Sequence, residues 1–219
     1  GLFEGICLDN CAPHWKPTGT ATVHHTRSHD ITFRHSCIAN TADADCHDMG
    51  GWDFEHGGDG CLFERVAFIN NAGPAIEYLR TPEDTATHVE IRDCTFIHND
   101  WNRWGGGGVL HIGRSGPEPT GSVHDNHIVL APGTRLGGDA FFEMADNQFH
   151  ADASTLPAYA RPPRVDAGDE DEQFIPTRRT TLSGRVDNAS DHRWEVLMGP
   201  GDVSFDSPQA LATNAAFSA

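Results

Sequence analysis

One apolar pattern recurs along the first two thirds of the chain and limits what it can fold into. Ile31-x-Phe33-x-x-Ser36-x-Ile38 matches Cys61-x-Phe63-x-x-Val66-x-Phe68 and Val89-x-Ile91-x-x-Cys94-x-Phe96. Weaker copies stand at Val123-x-x-Asn126-x-Ile128 and Met144-x-x-Asn147-x-Phe149. The steps between the Phe33, Phe63, Ile91, Val123 and Met144 positions are 30, 28, 32 and 21 residues. Each run is too short for a helix and is bounded by Gly, Asn or Asp. Short strand-like runs at similar steps predict a solenoid, in which each coil stacks on the last and buries the same columns of side chains.

The polar residues between those columns fit the same reading. Arg34, Glu64 and Arg92 share one outward column, where like charges stacked together would repel and alternating ones attract. Asn40, Asn70-Asn71 and His98-Asn99 follow the apolar column and are placed to bond turn backbone between coils. The pattern resembles the right-handed parallel β-helix, the fold of pectate lyases and many polysaccharide-degrading enzymes. The resemblance covers roughly residues 1–150 and implies an all-β solenoid. Fold alone does not assign an activity.

Residues 151–219 read differently. The stretch ADASTLPAYARPPRVDAGDEDEQFIPTRR is rich in Pro, Asp and Arg and is expected to be an excursion along the solenoid. Two or three strands are expected within 180–206, as an irregular last coil or a small cap, with a frayed or briefly helical tail after them. Catalytic β-helices usually run longer and begin with a capping helix, so a fragment of a longer chain is expected. The partner that completes it would be the rest of its own chain.

Charge narrows the partners. The formal net charge is −17, and Lys16 is the only lysine. Such a surface disfavours nucleic acid and anionic membranes, and counts more weakly against polyanionic sugars. No run reaches the roughly 18–20 apolar residues of a membrane span. Of the six cysteines, Cys61 and Cys94 fall on inward columns. Cys7/Cys11 and Cys37/Cys46 could each close a short loop in an oxidising, extracellular or periplasmic compartment.

Two loops stand out. Residues 12–28 read as a loop with Trp15 and the His24-His25 pair exposed. Asn99-Asp-Trp-Asn-Arg-Trp-Gly-Gly-Gly-Gly108 places Trp101, Arg103 and Trp104 beside four glycines, which suits a sugar-stacking wall. The insert at 41–50 carries Asp43, Asp45 and Asp48, which could hold Ca²⁺ but fit no EF-hand spacing and read more simply as a solvated acidic loop.

A second column carries the chemistry. Leu8, Phe54, Ile76 and Leu110 are expected to point in, so Asp9, Glu55, Glu77 and His111 would point out, with Asp53 on the same face. Coils about 4.8 Å apart would hold carboxyls at about 5 or 10 Å, the separations that glycosidases use. Glu77 is the expected acid and Asp53 or Glu55 the nucleophile or base, with His111 and Tyr78 in contact with substrate. Gly5-Ile6-Cys7-Leu8-Asp9 resembles the G-I-x-L-D run of β-helical glycosidases. Trp52-Asp53-Phe54 and Ile76-Glu77-Tyr78 are similar to the paired acidic strands of β-helical β-xylosidases. That resemblance implies catalytic roles for Asp53 and Glu77.

The expected function is therefore a secreted glycoside hydrolase acting on a poly- or oligosaccharide, without a required cofactor. The competing readings are a calcium-dependent polysaccharide lyase or epimerase, and a non-catalytic β-helix for adhesion, structure or sugar binding.

Overall fold

The computed structural model describes residues 1–11, 20–43, 48–84, 87–103, 106–114, 116–162, 164–166, 179–187, 192–196 and 202–217. Two compact units divide the chain, Gly1–Ala160 and Arg161–Ala219.

The first unit is a parallel β-solenoid with three faces. The first sheet stacks Leu2–Glu4, Thr32–Arg34, Cys61–Glu64, His88–Arg92, Thr120–His124 and Glu143–Ala145. The second stacks Cys7–Asp9, Cys37–Ala39, Ala67–Ile69, Thr95–Ile97, His127–Val129 and Gln148–Phe149. The third holds Thr20–His25, Asp48–Phe54, Ile76–Arg80 and Leu110–Arg114. Four complete turns carry all three strands, and two further rungs carry only the first two.

The recurrence in the sequence is the register of these sheets. Phe33 pairs with Phe63, Phe63 with Ile91, Ile91 with Val123, and Val123 with Met144. Ile38, Phe68, Phe96, Ile128 and Phe149 form the matching column of the second sheet. The inward residues of all three faces make one core, in which Phe68 stacks on Phe96 at 5.3 Å and Phe54 on Tyr78 at 5.0 Å. Offset aromatic pairs of this kind add to plain apolar burial.

The corners explain the polar punctuation. His35, Arg65, Asp93, Asp125 and Asp146 turn the chain from the first sheet to the second with φ between 48° and 56°. Asn10, Asn40, Asn70 and His98 do so after the second sheet with φ between 48° and 57°. Asn and Asp tolerate this left-handed conformation better than most residues. Inside that second corner, the Asn71 amide donates to Asn99 Oδ1 at 2.7 Å, and Asn99 donates to the Phe68 carbonyl at 2.8 Å. Both side chains are fully buried, so they satisfy corner backbone that water cannot reach. Charges on the first sheet pair as expected, with Arg34 to Glu4 at 2.9 Å and Arg92 to Glu64 at 3.0 Å.

Three expectations are corrected here. Thr20–His25 is a strand of the third sheet rather than loop, and His25 is buried beside Trp52 and Phe54. Its Thr-Ala-Thr-Val-His-His run is a weak alternation whose apolar signal rests on Ala21 and Val23. The Cys7 register partner is Cys37 on the next rung, and Cys7, Cys11 and Cys37 are free thiols. Cys46 lies outside the described residues. The tail is also a strand. In the second unit Ala212–Phe217 is the central member of an antiparallel sheet, between Arg179–Ser183 and Val203–Phe205. Arg164–Asp166 pairs antiparallel with Arg185–Asp187. No helix among the described residues is long and apolar enough to cross a membrane.

Candidate active site

The outer column of the third sheet is His24, Asp53, Glu77 and His111, one residue from each complete turn. The inward neighbours Trp52, Ile76 and Leu110 hold it in register from the core side. Adjacent rungs of a sheet lie about 4.8 Å apart, so Asp53 and Glu77 stand as direct neighbours.

This column differs from the expected one at two places. Asp9 belongs to the second sheet, where it pairs with Ala39, because each turn has three strands and Cys7–Asp9 is the second of them. Glu55 lies one residue past the strand end, and Asp53 pairs with Glu77 instead. A slip of two residues leaves every side chain on the same face, so alternation alone cannot tell the two registers apart. Glu55 keeps the outer side but stands further along, with His56 Nε2 at 3.8 Å from its carboxylate.

Both central acids are buried, Asp53 at 0% and Glu77 at 1% exposure. Their flanking histidines reach solvent, with side chains 42% exposed for His24 and 29% for His111. The Ala21 backbone N–H donates to His24 Nε2 at 3.2 Å, which leaves Nδ1 to carry the proton that bonds Asp53 Oδ2 at 3.1 Å. His111 Nε2 stands 3.6 Å from Glu77 Oε1. Asp53 Oδ1 and Glu77 Oε2 are buried with no hydrogen-bond partner among the described residues.

The electrostatics follow from this placement. Burial pushes the Glu77 carboxyl up to about 9, and the charges of Asp48, Asp53 and Glu55 add to that. Burial also raises Asp53, but its hydrogen bond to His24 pulls the other way. Glu77 is therefore protonated at neutral pH, and Asp53 is the member of the pair whose carboxyl is hydrogen-bonded by an imidazole at 3.1 Å.

Asp48 belongs to this cluster, because its side chain hydrogen-bonds Glu77. Asp48 and Met49 both take positive φ, 74° and 49°. The next rung crosses close by at Gly73, where a Cβ would lie 1.9 Å from the Asp48 carbonyl oxygen. Only glycine fits there.

The other sequence candidates lie elsewhere. Tyr78 is in the core with no exposure, so it faces away from any ligand on the outer side. Arg103 sits in the turn after the second sheet, its guanidinium beside Gly133. Trp101 and Asp43 meet Asp9 at a separate groove at the corner following the second sheet. Trp104 and Asp45 lie outside the described residues. Among the described residues no group of three or more His, Cys, Asp or Glu side chains is arranged to hold a metal ion. His24 joins the site without a signal in the sequence, since its strand carries too few apolar residues to stand out from a loop.

Comparison with protein-family models, with curated proteins and with solved structures found no match.

Proposed function

We propose that the chain is a glycoside hydrolase that uses Glu77 as general acid and Asp53 as nucleophile. The observation that carries the reading is a pair of neighbouring buried carboxyls whose surroundings treat them differently. A glycosidase needs one protonated acid to give a proton to the leaving oxygen and one carboxylate for the sugar carbon. Glu77 has the raised affinity for its proton. Asp53 has His24 to orient it and to stabilise its negative charge. His111, beside Glu77 and partly exposed, would contact the leaving group.

Side chains that project in parallel from adjacent rungs would hold the two carboxyls about 4.8 Å apart, close to the roughly 5–5.5 Å of retaining enzymes and short of the inverting range. The reading therefore implies retention of anomeric configuration. Substrate would approach along the exposed His24 and His111 edges of the column. The acidic composition favours a neutral sugar over a uronate.

The test is release of reducing ends from a panel of neutral polysaccharides, with Asp53→Asn and Glu77→Gln as controls. Release by the native chain that both variants lose, with the β or α anomer retained in the first product, supports the reading. No release from any member, or release that survives both substitutions, overturns it. Unsaturated ends from a polyuronate would mark a lyase instead.

A further inference from the structure

The solenoid has a second feature that the acid pair does not use. A groove of about 500 Å³ runs across the corner after the second sheet, lined by Asp9, Asn40, Asn70, Asp43 and Trp101 among others. We propose that this groove is a binding subsite for an extended, neutral oligosaccharide lying across successive rungs. The proposal rests on the carbohydrate class inferred above, but not on hydrolysis.

The polar floor is a directed ladder. Asn70 Nδ2 donates to Asn40 Oδ1 at 2.9 Å, and Asn40 Nδ2 donates to Asp9 Oδ1 at 2.7 Å. All three side chains stand on the outside of the solenoid and keep further donor or acceptor capacity, since an amide offers two N–H groups and two lone pairs. The left-handed backbone at Asn40 and Asn70 holds them in line, one per rung, about 4.8 Å apart. That repeat is comparable to the length of one extended pyranose, so a sugar chain presents hydroxyls at the ladder's own interval.

Trp101 supplies the apolar wall. Its indole N–H donates to the Asn70 carbonyl at 3.3 Å, which fixes the ring beside the ladder, and the residue is 40% exposed. A fixed, exposed aromatic face next to a row of amides suits a pyranose, which has an apolar face and a polar rim. The carboxylates of Asp9 and Asp43 accept hydroxyl protons but repel uronates. The volume falls within the range of small-ligand sites and accommodates a few sugar units.

The test is direct binding to the full chain by calorimetry, using xylohexaose and cellohexaose as neutral probes and hexagalacturonate as the acidic one. It is run in the Glu77→Gln background, which removes the proposed acid and leaves the groove untouched. Binding of a neutral probe, weakened roughly tenfold or more by Trp101→Leu and restored by Trp101→Tyr, is the expected result. Circular dichroism of each variant separates lost binding from lost folding. Absence of binding by either neutral probe overturns the proposal, as do equal affinity in the Trp101→Leu variant and preference for the galacturonate. Trp101-dependent binding, together with a native Glu77 chain that releases no reducing ends from the same probes, would retire the hydrolase while the groove stands.

Discussion

Replacing Glu77 by glutamine should make the protein more stable and less active, and the two effects have one cause. The folded carboxyl is held up at about 9, against an ordinary value of 4.5. Between those limits the unfolded chain has released this proton and the folded chain has kept it. The unfolded state then binds fewer protons, so stability falls as pH rises. The contribution is fully present below pH 4.5 and is lost progressively up to about 9. At pH 7 the gap is about 2.5 pH units, and at about 1.4 kcal/mol each this amounts to about 3 kcal/mol. The side chain is 2% exposed, so solvent screening removes little of it.

Glutamine has nearly the same shape and no proton to lose. Urea unfolding of the native chain and of Glu77→Gln at pH 5 and pH 8 reads the titration of Glu77 together with the carboxyls it is coupled to, because the titrating groups outside that cluster are common to both. The native chain should lose about 4 kcal/mol more than the variant between those two pH values. Whatever the amide does to packing is independent of pH and cancels. If the two proteins lose the same stability between pH 5 and pH 8, Glu77 is ionised in the fold and the general-acid assignment goes with it. On the activity side, loss of a general acid should lower turnover by roughly 10²–10⁴-fold. A merely structural carboxyl would not show greater stability together with that loss.

Other perturbations test the frame around the pair. Gly73→Ala places a methyl against the Asp48 carbonyl and should lower stability by roughly 1–3 kcal/mol, and an unchanged urea midpoint would contradict the close approach. Mild oxidation with oxidised glutathione should join Cys7 to Cys37, which are register partners about 4.8 Å apart, and a peptide map showing Cys7–Cys11 instead would refute the register. His127 is buried between His150 and Tyr159, with Asp93 as its nearby charge, and burial lowers its proton affinity. The unfolded chain therefore takes up the proton first, and stability should fall as pH drops below about 6.5. Protection of the 151–160 amides, taken relative to the intrinsic exchange rate at each pH, should fall between pH 7.5 and 5.5, and His127→Gln should remove that dependence.

Much of the solenoid could be read from its sequence because its first two sheets repeat their inward columns with few interruptions. Phe33, Phe63, Ile91 and Val123 announce themselves through apolar side chains at similar steps. The third sheet is harder to read. Its strands follow loops of unequal length, and Thr20–His25 carries few apolar residues. The pairing of Asp53 with Glu77 was legible as proximity, since both flank inward aromatic or aliphatic residues. The choice between Asp53 and Glu55 was not, because backbone pairing decides it and side-chain alternation does not. Asp9 was misplaced for a related reason. Its Ile6-Cys7-Leu8-Asp9 run looks like a third-sheet strand in isolation, and only the count of strands per turn sends it to the second sheet. The groove escaped notice because Asp9, Asn40, Asn70 and Trp101 are separated in sequence by 31, 30 and 31 residues and meet only through stacking.

The acid pair is better explained by function than by an acidic composition. At several other places in this solenoid, neighbouring rungs bring complementary groups together. Glu4 meets Arg34, Glu64 meets Arg92, Asp9 meets Asn40, and Glu90 meets His124. An excess of carboxylates distributed without constraint falls on exposed columns, where water screens it, as at the corner residues Asp93, Asp125 and Asp146. Here the neighbouring carboxyls of Asp53 and Glu77 are instead among the most buried polar side chains, with Asp48 and Glu55 close by. Burial makes their repulsion and desolvation costly, and the strand that carries Asp53 also begins with two residues at positive φ. Destabilising features gathered at one buried place are what a site built to hold a proton at neutral pH requires.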